Sequence, residues 1–319
     1  MGSNLFEERL CLFPIVHPTL DKFCARHRST YWTPEEIDWV GDRQDWDTLP
    51  LKQRDCLKLV LSFFAIADGI VMQNISLNFA EEFKAPEARG FYAIQNCMEA
   101  IHVITYNLAI VTLMPDPTEH LPLLTNVPRY SSVQAKKAFA EAWFDNGISL
   151  ANRLVAFACV EGILFSSSFC LIYWYKTNNL LSGLTVSNEL ISRDEALHTD
   201  FAVELHRLLP TQARPEDIRI IVMQAVAAES KFVHEAVKPG TFPSLTADDM
   251  VAYVEFIADG LLRKFGVAPA FGRKLPQACR YMDMIGVDQK TNFFESRVTS
   301  YHKHEPSKLN TKDFLGDNF

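Results

Sequence analysis

The stretch that decides the fold of this chain is Met98-Glu99-Ala100-Ile101-His102-Val103-Ile104-Thr105-Tyr106. Glu99, His102 and Tyr106 occupy positions i, i+3 and i+7, which share one face of an α-helix. With a rise of about 1.5 Å per residue, the tyrosine lies roughly 6 Å along the helix axis from the histidine. A carboxylate and an imidazole on the inner face of an apolar helix are costly unless they bind something. The stretch therefore predicts a buried helix that carries a ligand site.

The same Glu-x-x-His spacing recurs at Glu195 and His198, and two further acids, Asp68 and Glu161, lie alone in apolar stretches. Buried carboxylates must be paired or bound to metal, and no lysine or arginine lies within a helical turn of Asp68, Glu99 or Glu161. Four carboxylates and two imidazoles suit two closely spaced divalent metal ions. One acid from each of two helices, with Glu-x-x-His from two others, is the donor pattern of ferritin-like di-iron bundles. The predicted metal ligands are Asp68, Glu99, His102, Glu161, Glu195 and His198.

Composition limits the class of protein. The chain has 319 residues, is 48% hydrophobic and has a formal net charge of -8, which is typical of a soluble globular protein and argues against a general nucleic-acid surface. Seven scattered cysteines without a Cys-x-x-Cys motif argue against a disulfide framework and indicate a reducing compartment. The first residues do not form a secretory signal, and charge-free stretches such as Gly162–Tyr175 are too short to span a membrane. We therefore expect a cytoplasmic protein without a membrane anchor.

Apolar periodicity predicts an all-α fold, because strand-like alternation is nowhere sustained. A helix start is predicted at Thr33-Pro34, where a capping hydroxyl precedes proline. Longer helices are predicted over residues 50–83, 86–114, 131–145, 149–175, 185–208, 215–237, 247–265 and 270–286. We assign residues 1–30 to an N-terminal arm over the surface, 31–287 to a ferritin-like helical domain with additional helices, and 288–319 to a flexible tail. On composition alone, the tail is favoured as a frayed terminus over a docking peptide.

Several longer motifs are distinctive, namely Phe63–Val71, Glu87–Tyr92, Met98–His102, Val160–Gly162 and Ser187–His198. They resemble the radical-bearing small subunit of class I ribonucleotide reductase, in its eukaryotic and large-DNA-virus form, and the resemblance extends from about Trp32 to Phe319, almost the whole chain. It implies two iron ions per subunit at the six predicted ligands, although the same ligands could take manganese. It also implies a homodimer that binds a large catalytic subunit, on which ribonucleotides are reduced to deoxyribonucleotides.

The resemblance further implies that Tyr106 is the stable tyrosyl radical. Helical spacing places Phe165, Phe169 and Ile191 on the ligand faces, and the family uses such residues as a dry wall around the radical. Packing alone would also explain their burial. The short side chain of Asp68 leaves room for a hydrogen bond to the phenol, which we state as a hypothesis.

An electron path is implied in the same way. In the family, the residue that matches Asp194 accepts a hydrogen bond from the histidine that matches His102, and it contacts a tryptophan, which we match to Trp46. Spacing alone would make Trp46 only a packing aromatic. Tyr301 is matched to the relay tyrosine between the subunits, and the last residues, ending at Phe319, would dock into the large subunit.

Other functions share part of this pattern. A di-iron oxidase or hydroxylase would keep the six ligands but would need an open cavity, and it would not need Trp46, Asp194 or Tyr301. A ferritin-type iron-storage protein would need cage-forming surfaces and could dispense with Tyr106. A radical-free homologue would lack Tyr106, which this chain has.

Overall fold

The computed structural model describes residues 5–124, 129–145 and 147–283. Within these ranges the regular structure is helical and there is no β-strand, so the all-α prediction is confirmed. The α-helices are α1 (Pro18–Ser29), α2 (Asp42–Thr48), α3 (Leu51–Asn74), α4 (Ala80–Glu82), α5 (Pro86–Leu113), α6 (Pro117–His120), α7 (Ser131–Trp143), α8 (Leu150–Cys159), α9 (Ser166–Thr177), α10 (Ser182–Leu208), α11 (Pro215–Ala236) and α12 (Ala247–Lys264). Short 3-10 turns cover Pro34–Glu36, Leu121–Leu123 and Gln277–Cys279, and π-helical segments cover Ile75–Phe79 and Val160–Leu164.

The long helices α3, α5, α8 and α10 form the centre of a bundle. α3 packs against α5, α8 against α10, and α10 against α5. The local sequence sets their ends, since α5 begins with Pro86 at its first position and ends just before Pro115. α12 begins with a capping box in which Thr246 and Asp249 each bond the other's backbone N–H. Up to Tyr281, the described residues form one compact unit.

The helix predicted over 149–175 is divided by the π-helical segment Val160–Leu164, which carries Glu161. A π turn holds extra residues, so it shifts the register of the side chains on either side of it, and such segments are frequent at functional sites. The run Leu150–Thr177 is long and apolar enough to cross a membrane, but 94% of its most apolar window is buried within the protein. It is therefore a core element of the bundle.

The segment predicted as an N-terminal arm, residues 1–30, contains the helix α1. α1 packs on α5, where the thiol of Cys24 donates to the backbone oxygen of Glu87 at 3.1 Å. Arg9 also pairs with the Glu87 carboxylate, at 2.6 Å. The segment is thus bound to the bundle through a buried acid of α5.

The helix predicted over 270–286 was wrong for residues 270–276, whereas residues 281–283 are helical. The buried carboxylate of Asp259 on α12 accepts hydrogen bonds from the backbone N–H groups of Ala270, Phe271 and Gly272, at 2.7 to 3.0 Å. Gly272 has a φ of +65°, a conformation that glycine adopts readily. These long-range bonds hold the chain as a loop before the short turn Gln277–Cys279.

The start of α10 is fixed from a distant part of the chain. Asp42, at the beginning of α2, accepts hydrogen bonds from the backbone N–H groups of Gly183 and Leu184, each at 2.8 Å. A Cβ at Gly183 would lie 2.7 Å from the backbone oxygen of Asp38, so only glycine fits there. This cap fixes the helix that carries Glu195 and its neighbours.

Candidate metal centre

The six predicted ligands converge in the centre of the bundle. They come from α3, α5, the π-helical segment and α10, and none is more than 2% exposed. Their donor atoms form two groups in which all atoms lie within 4.8 Å of one another. The first group is Asp68, Glu99 and His102, and the second is Glu99, Glu161, Glu195 and His198. The two groups share Glu99, which is the arrangement expected of two neighbouring cation sites with a shared carboxylate.

Both histidines present the same ring nitrogen to the same two carboxylates. His102 Nδ1 lies 3.3 Å from Glu99 Oε2 and 3.0 Å from Glu195 Oε1. His198 Nδ1 lies 3.0 Å from Glu99 Oε1 and 3.1 Å from Glu195 Oε2. The Glu-x-x-His spacing on two helices thus produces a nearly symmetric pair of imidazoles.

Several buried polar atoms of the cluster make no hydrogen bond of good geometry among the described residues, even where a nitrogen and an oxygen lie 3.0 to 3.3 Å apart. These atoms are Asp68 Oδ1 and Oδ2, Glu99 Oε2, Glu161 Oε2, Glu195 Oε1 and His102 Nδ1. Buried oxygens without partners are costly, and carboxylates so placed ordinarily bind cations. The donor set of oxygens and imidazole nitrogens fits divalent transition-metal ions.

In the absence of metal, bound protons would neutralise part of the carboxylate charge of the cluster. Burial, reinforced by the neighbouring carboxylates, raises the pKa of Asp68 and Glu161 well above the ordinary range. Burial alone would lower the pKa of His198, but the charges of Glu195 and Glu99 outweigh it and raise that pKa to about 9. The cluster therefore binds protons at neutral pH at the atoms that would bind metal.

Sequence reasoning missed two polar residues beside the ligands. Gln95 is fully buried and its amide donates to Glu161 Oε1 at 2.9 Å and to Glu99 Oε1 at 3.2 Å. Its position one helical turn before Glu99, in an apolar stretch, was the available signal. The second is His27, whose Nε2 lies 2.9 Å from His198 Nε2. It lies in the segment interpreted as an arm, so no spacing indicated it.

Tyr106 is buried beside the cluster, at 2% exposure. Burial, together with the charges of Asp68 and Glu195, raises the pKa of its hydroxyl well above the ordinary value. The hydroxyl has no hydrogen-bond partner among the described residues, so the hypothesised bond to Asp68 is not formed. The phenol is therefore held neutral in a buried site beside the carboxylates.

An aromatic wall encloses this tyrosine, as expected, but its main member is different. Phe64 stacks on Tyr106 with the ring centroids 4.3 Å apart. Phe165 and Phe169 each contact Phe64, with centroids 5.8 Å apart, and Ile191 is fully buried. Phe64 lies in the Phe63–Val71 motif, four residues before Asp68, so its spacing could have indicated this role.

The predicted contact between Asp194 and Trp46 is wrong, and Trp32 takes that place. Trp32 Nε1 donates to Asp194 Oδ2 at 2.8 Å, and the same oxygen lies 3.3 Å from His102 Nε2. The Trp32 ring is also nearly parallel to the His102 imidazole, with centroids 5.9 Å apart. Trp46 is buried on α2. The other predicted residue of this path, Tyr301, lies outside the described residues, as does the whole of segment 288–319.

Comparisons with known proteins agree with this site. The chain matches the family model described as ribonucleotide reductase, small chain, over residues 9–278. It is 42% identical over 296 residues to the ribonucleoside-diphosphate reductase small chain of Nicotiana tabacum, covering 93% of this chain and 89% of that one. It is 41% identical over 300 residues to the corresponding protein of Plasmodium falciparum (isolate Dd2), covering 94% and 85%. The structure of the Saccharomyces cerevisiae ribonucleotide reductase Rnr4 homodimer is similar, with a TM-score of 0.80, 28% identity, and coverage of 90% of this chain and 92% of that one.

The metal-free protein is expected to lose stability as pH rises from about 6.5 to about 9. The pKa of His198 is about 9 in the folded chain against an ordinary value of 6.5, so its stabilisation is fully present below pH 6.5 and is lost as pH rises through 9. This interval corresponds to on the order of 3 kcal/mol. The raised pKa values of Asp68 and Glu161 give changes of the same sign. Thermal unfolding in the presence of EDTA measures the effect, and His198→Gln should reduce it.

Cation affinity is expected to change in the opposite direction over the same range, because a bound cation displaces these protons. Calorimetric titration with Mn²⁺ should therefore show tighter binding at about pH 8 than at about pH 6.5. Metal-free stability that is constant or rises with pH would contradict a cluster filled with protons.

Proposed function

Because the chain belongs to the family of ribonucleotide reductase small chains, we propose that it holds two iron ions and uses them with O₂ to form a stable radical on Tyr106. The large subunit then uses this oxidising equivalent to reduce ribonucleoside diphosphates to deoxyribonucleotides for DNA synthesis. The observation that supports the proposal best is the burial of an unpartnered phenol beside six converging metal ligands. The small subunit itself does not bind the nucleotide.

The metal ions would be held by the carboxylates of Asp68, Glu99, Glu161 and Glu195 and by the Nδ1 atoms of His102 and His198. When bound, the two iron ions supply the O₂-dependent one-electron oxidation of a nearby phenol. Manganese is compatible with the same donor set of oxygens and nitrogens. Gln95 would position two of the carboxylates through its amide group.

The surroundings of Tyr106 suit a long-lived radical. Loss of an electron from a phenol makes its hydroxyl strongly acidic, so a nearby base must take the proton. The charge of Asp68 raises the pKa of the Tyr106 hydroxyl, and we propose this carboxylate, once a cation has displaced its own proton, as the acceptor. Phe64 covers the tyrosine ring, and burial of the whole group excludes water and external reductants.

The electron that restores Tyr106 would come from the large subunit and pass through Trp32, Asp194 and His102. The imidazole and the indole both bond the same carboxylate oxygen, at 3.3 and 2.8 Å. The pKa of Asp194 is lowered despite its burial, because His102 and Arg193 stabilise the carboxylate. A charged aspartate can hold the proton of either neighbour while the electron moves. From Trp32 we propose that Tyr301 in the tail continues the path to the large subunit.

The alternatives are supported less well. A di-iron oxidase or hydroxylase needs substrate access, yet every predicted ligand is at most 2% exposed. An iron-storage protein has no use for the Trp32–Asp194–His102 contacts. The comparisons identify reductase small chains and give neither alternative an advantage.

We also propose that the chain forms a homodimer through α5. Ile104, Leu108 and Val111 lie at positions i, i+4 and i+7 on this helix and are 51%, 37% and 38% exposed. An exposed apolar stripe on a central helix is typical of a protein interface. The yeast relative is described as a homodimer.

All seven cysteines are free thiols, which suits a cytoplasmic location.

Tyr106→Phe is expected to abolish the tyrosyl signal while the protein retains its iron, because the ligands are unchanged. Electron paramagnetic resonance and iron analysis after addition of Fe(II) and O₂ measure both. Tyr92→Phe is a matched control, since Tyr92 is also on α5 and fully buried, and its hydroxyl has no partner in the described part of the chain. A signal that survives in Tyr106→Phe, or disappears in Tyr92→Phe, would show that the radical is located elsewhere.

Trp32→Phe should keep the iron and the tyrosyl signal but lower turnover with the large subunit by at least about tenfold, because the hydrogen bond to Asp194 is lost. Trp46→Phe leaves that hydrogen bond intact and should change turnover little. Steady-state reduction of a ribonucleoside diphosphate with the large subunit in excess measures the difference. The reverse ranking of the two variants would restore Trp46 to the path.

Tyr301→Phe should retain the radical and lose turnover, because the relay between the subunits is interrupted. A peptide copying residues 313–319 should compete with the small subunit for the large subunit, whereas a scrambled peptide should not. Normal turnover of Tyr301→Phe would remove the relay assignment. Full activity in a large excess of the peptide would remove the docking assignment.

A further inference from the structure

The outer nitrogen of His198 faces a second histidine. His198 Nε2 lies 2.9 Å from His27 Nε2, and the ring centroids are 5.0 Å apart. Both side chains are fully buried. His27 comes from α1, which packs on both α5 and α10, so the contact joins residues 171 positions apart in the chain.

The chemistry of the metal centre decides which nitrogen carries the hydrogen. When His198 Nδ1 gives its lone pair to a cation, the hydrogen of the neutral ring is on Nε2. The atom facing this N–H is His27 Nε2, which must then accept the hydrogen bond, because two N–H groups at 2.9 Å would repel each other. The hydrogen of His27 is consequently on Nδ1, an atom without a partner among the described residues.

We propose that His27 is a positioning residue of the metal centre, whose Nε2 accepts the Nε2–H of His198 and holds His198 Nδ1 toward Glu99 and Glu195. The inference rests on the proposed metal centre. Histidine ligands of metals ordinarily donate their second N–H to an outer acceptor, which fixes the orientation of the ring. His27 is the acceptor that this structure provides for His198.

Aromatic packing keeps the His27 ring in place. Phe91 contacts it with the centroids 5.2 Å apart, and Phe201 stacks on Phe91 at 3.6 Å. Phe23, from the same helix as His27, contacts both phenylalanines. These ring contacts thus fix the direction of the acceptor nitrogen, so little free energy is needed to orient it on metal binding.

The two histidine ligands therefore have unequal outer partners. His102 has the carboxylate of Asp194, whereas His198 has a neutral imidazole. An anionic acceptor increases the electron density of a ligand ring more than a neutral one does. The cation bound by His198 should therefore depend on His27.

The test compares metal binding in three variants of the full-length, metal-free protein. His27→Phe keeps an aromatic ring but removes the acceptor, whereas His27→Gln supplies an amide oxygen in its place. His206→Phe is the matched control, because His206 is a buried histidine of the same helix as His198 that bonds the backbone N–H of Ala213 instead. Calorimetric titration with Mn²⁺ gives stoichiometry and affinity, and thermal unfolding of the metal-free variants reports folding.

We expect wild type and His206→Phe to bind two Mn²⁺ ions with the same affinities. His27→Phe should weaken one of the two sites by about 10- to 100-fold, and His27→Gln should restore it to within about threefold. Equal binding by wild type and a folded His27→Phe would overturn the positioning role. Failure of wild type to bind two ions would instead overturn the metal centre on which the inference rests.

A measurement on the unaltered protein keeps the inference testable if His27→Phe does not fold. In a crystal structure of the Mn²⁺-loaded wild type, the two Nε2 atoms should remain about 2.9 Å apart. A His27 ring that is turned away from His198 while the metal is bound would contradict the proposal.

Discussion

The rest of the structure depends on one constraint, the placement of four carboxylates in an apolar interior. Desolvation of that much negative charge is prohibitive unless it is neutralised. Two divalent cations carry four positive charges, which balance four carboxylates when both imidazoles are neutral. In the metal-free chain, protons on the carboxylates and on His198 neutralise part of this negative charge. Helix packing, caps and the aromatic wall hold the carboxylates where mutual repulsion would otherwise separate them.

The same constraint explains the protonation state and the packing of Tyr106. Tyr106 lies near enough to the carboxylates for their charge to raise its pKa, yet its hydroxyl bonds none of them. A phenol in this state keeps its proton until it loses an electron. The stacked ring of Phe64 and the rings behind it cover the phenol, so packing would protect the proposed radical from external reductants.

Much of the fold and of the ligand set could be predicted because the signals are local. Proline marks the ends of α5, and helical spacing places Glu99 and His102 on one face. What failed depends on contacts between distant residues. Helical spacing cannot show that Trp32, rather than Trp46, reaches Asp194, since those partners are 162 positions apart. The prediction of a helix after residue 270 failed for the same reason, because Asp259 on α12 holds that segment as a loop. A 3.6-residue period also does not reveal the π turn at Glu161.

The helix α1 has a consequence for how the protein matures. It carries His27 toward one histidine ligand, and the chain that leaves it carries Trp32 toward the partner of the other. The amino-terminal segment therefore contacts both halves of the centre. By reciprocity, any cation bound more tightly with α1 in place must itself hold α1 in place. Under the proposed function, metal loading and protection of the amino-terminal segment from proteases would be two measures of a single equilibrium, and the chain without metal would be the more easily cleaved.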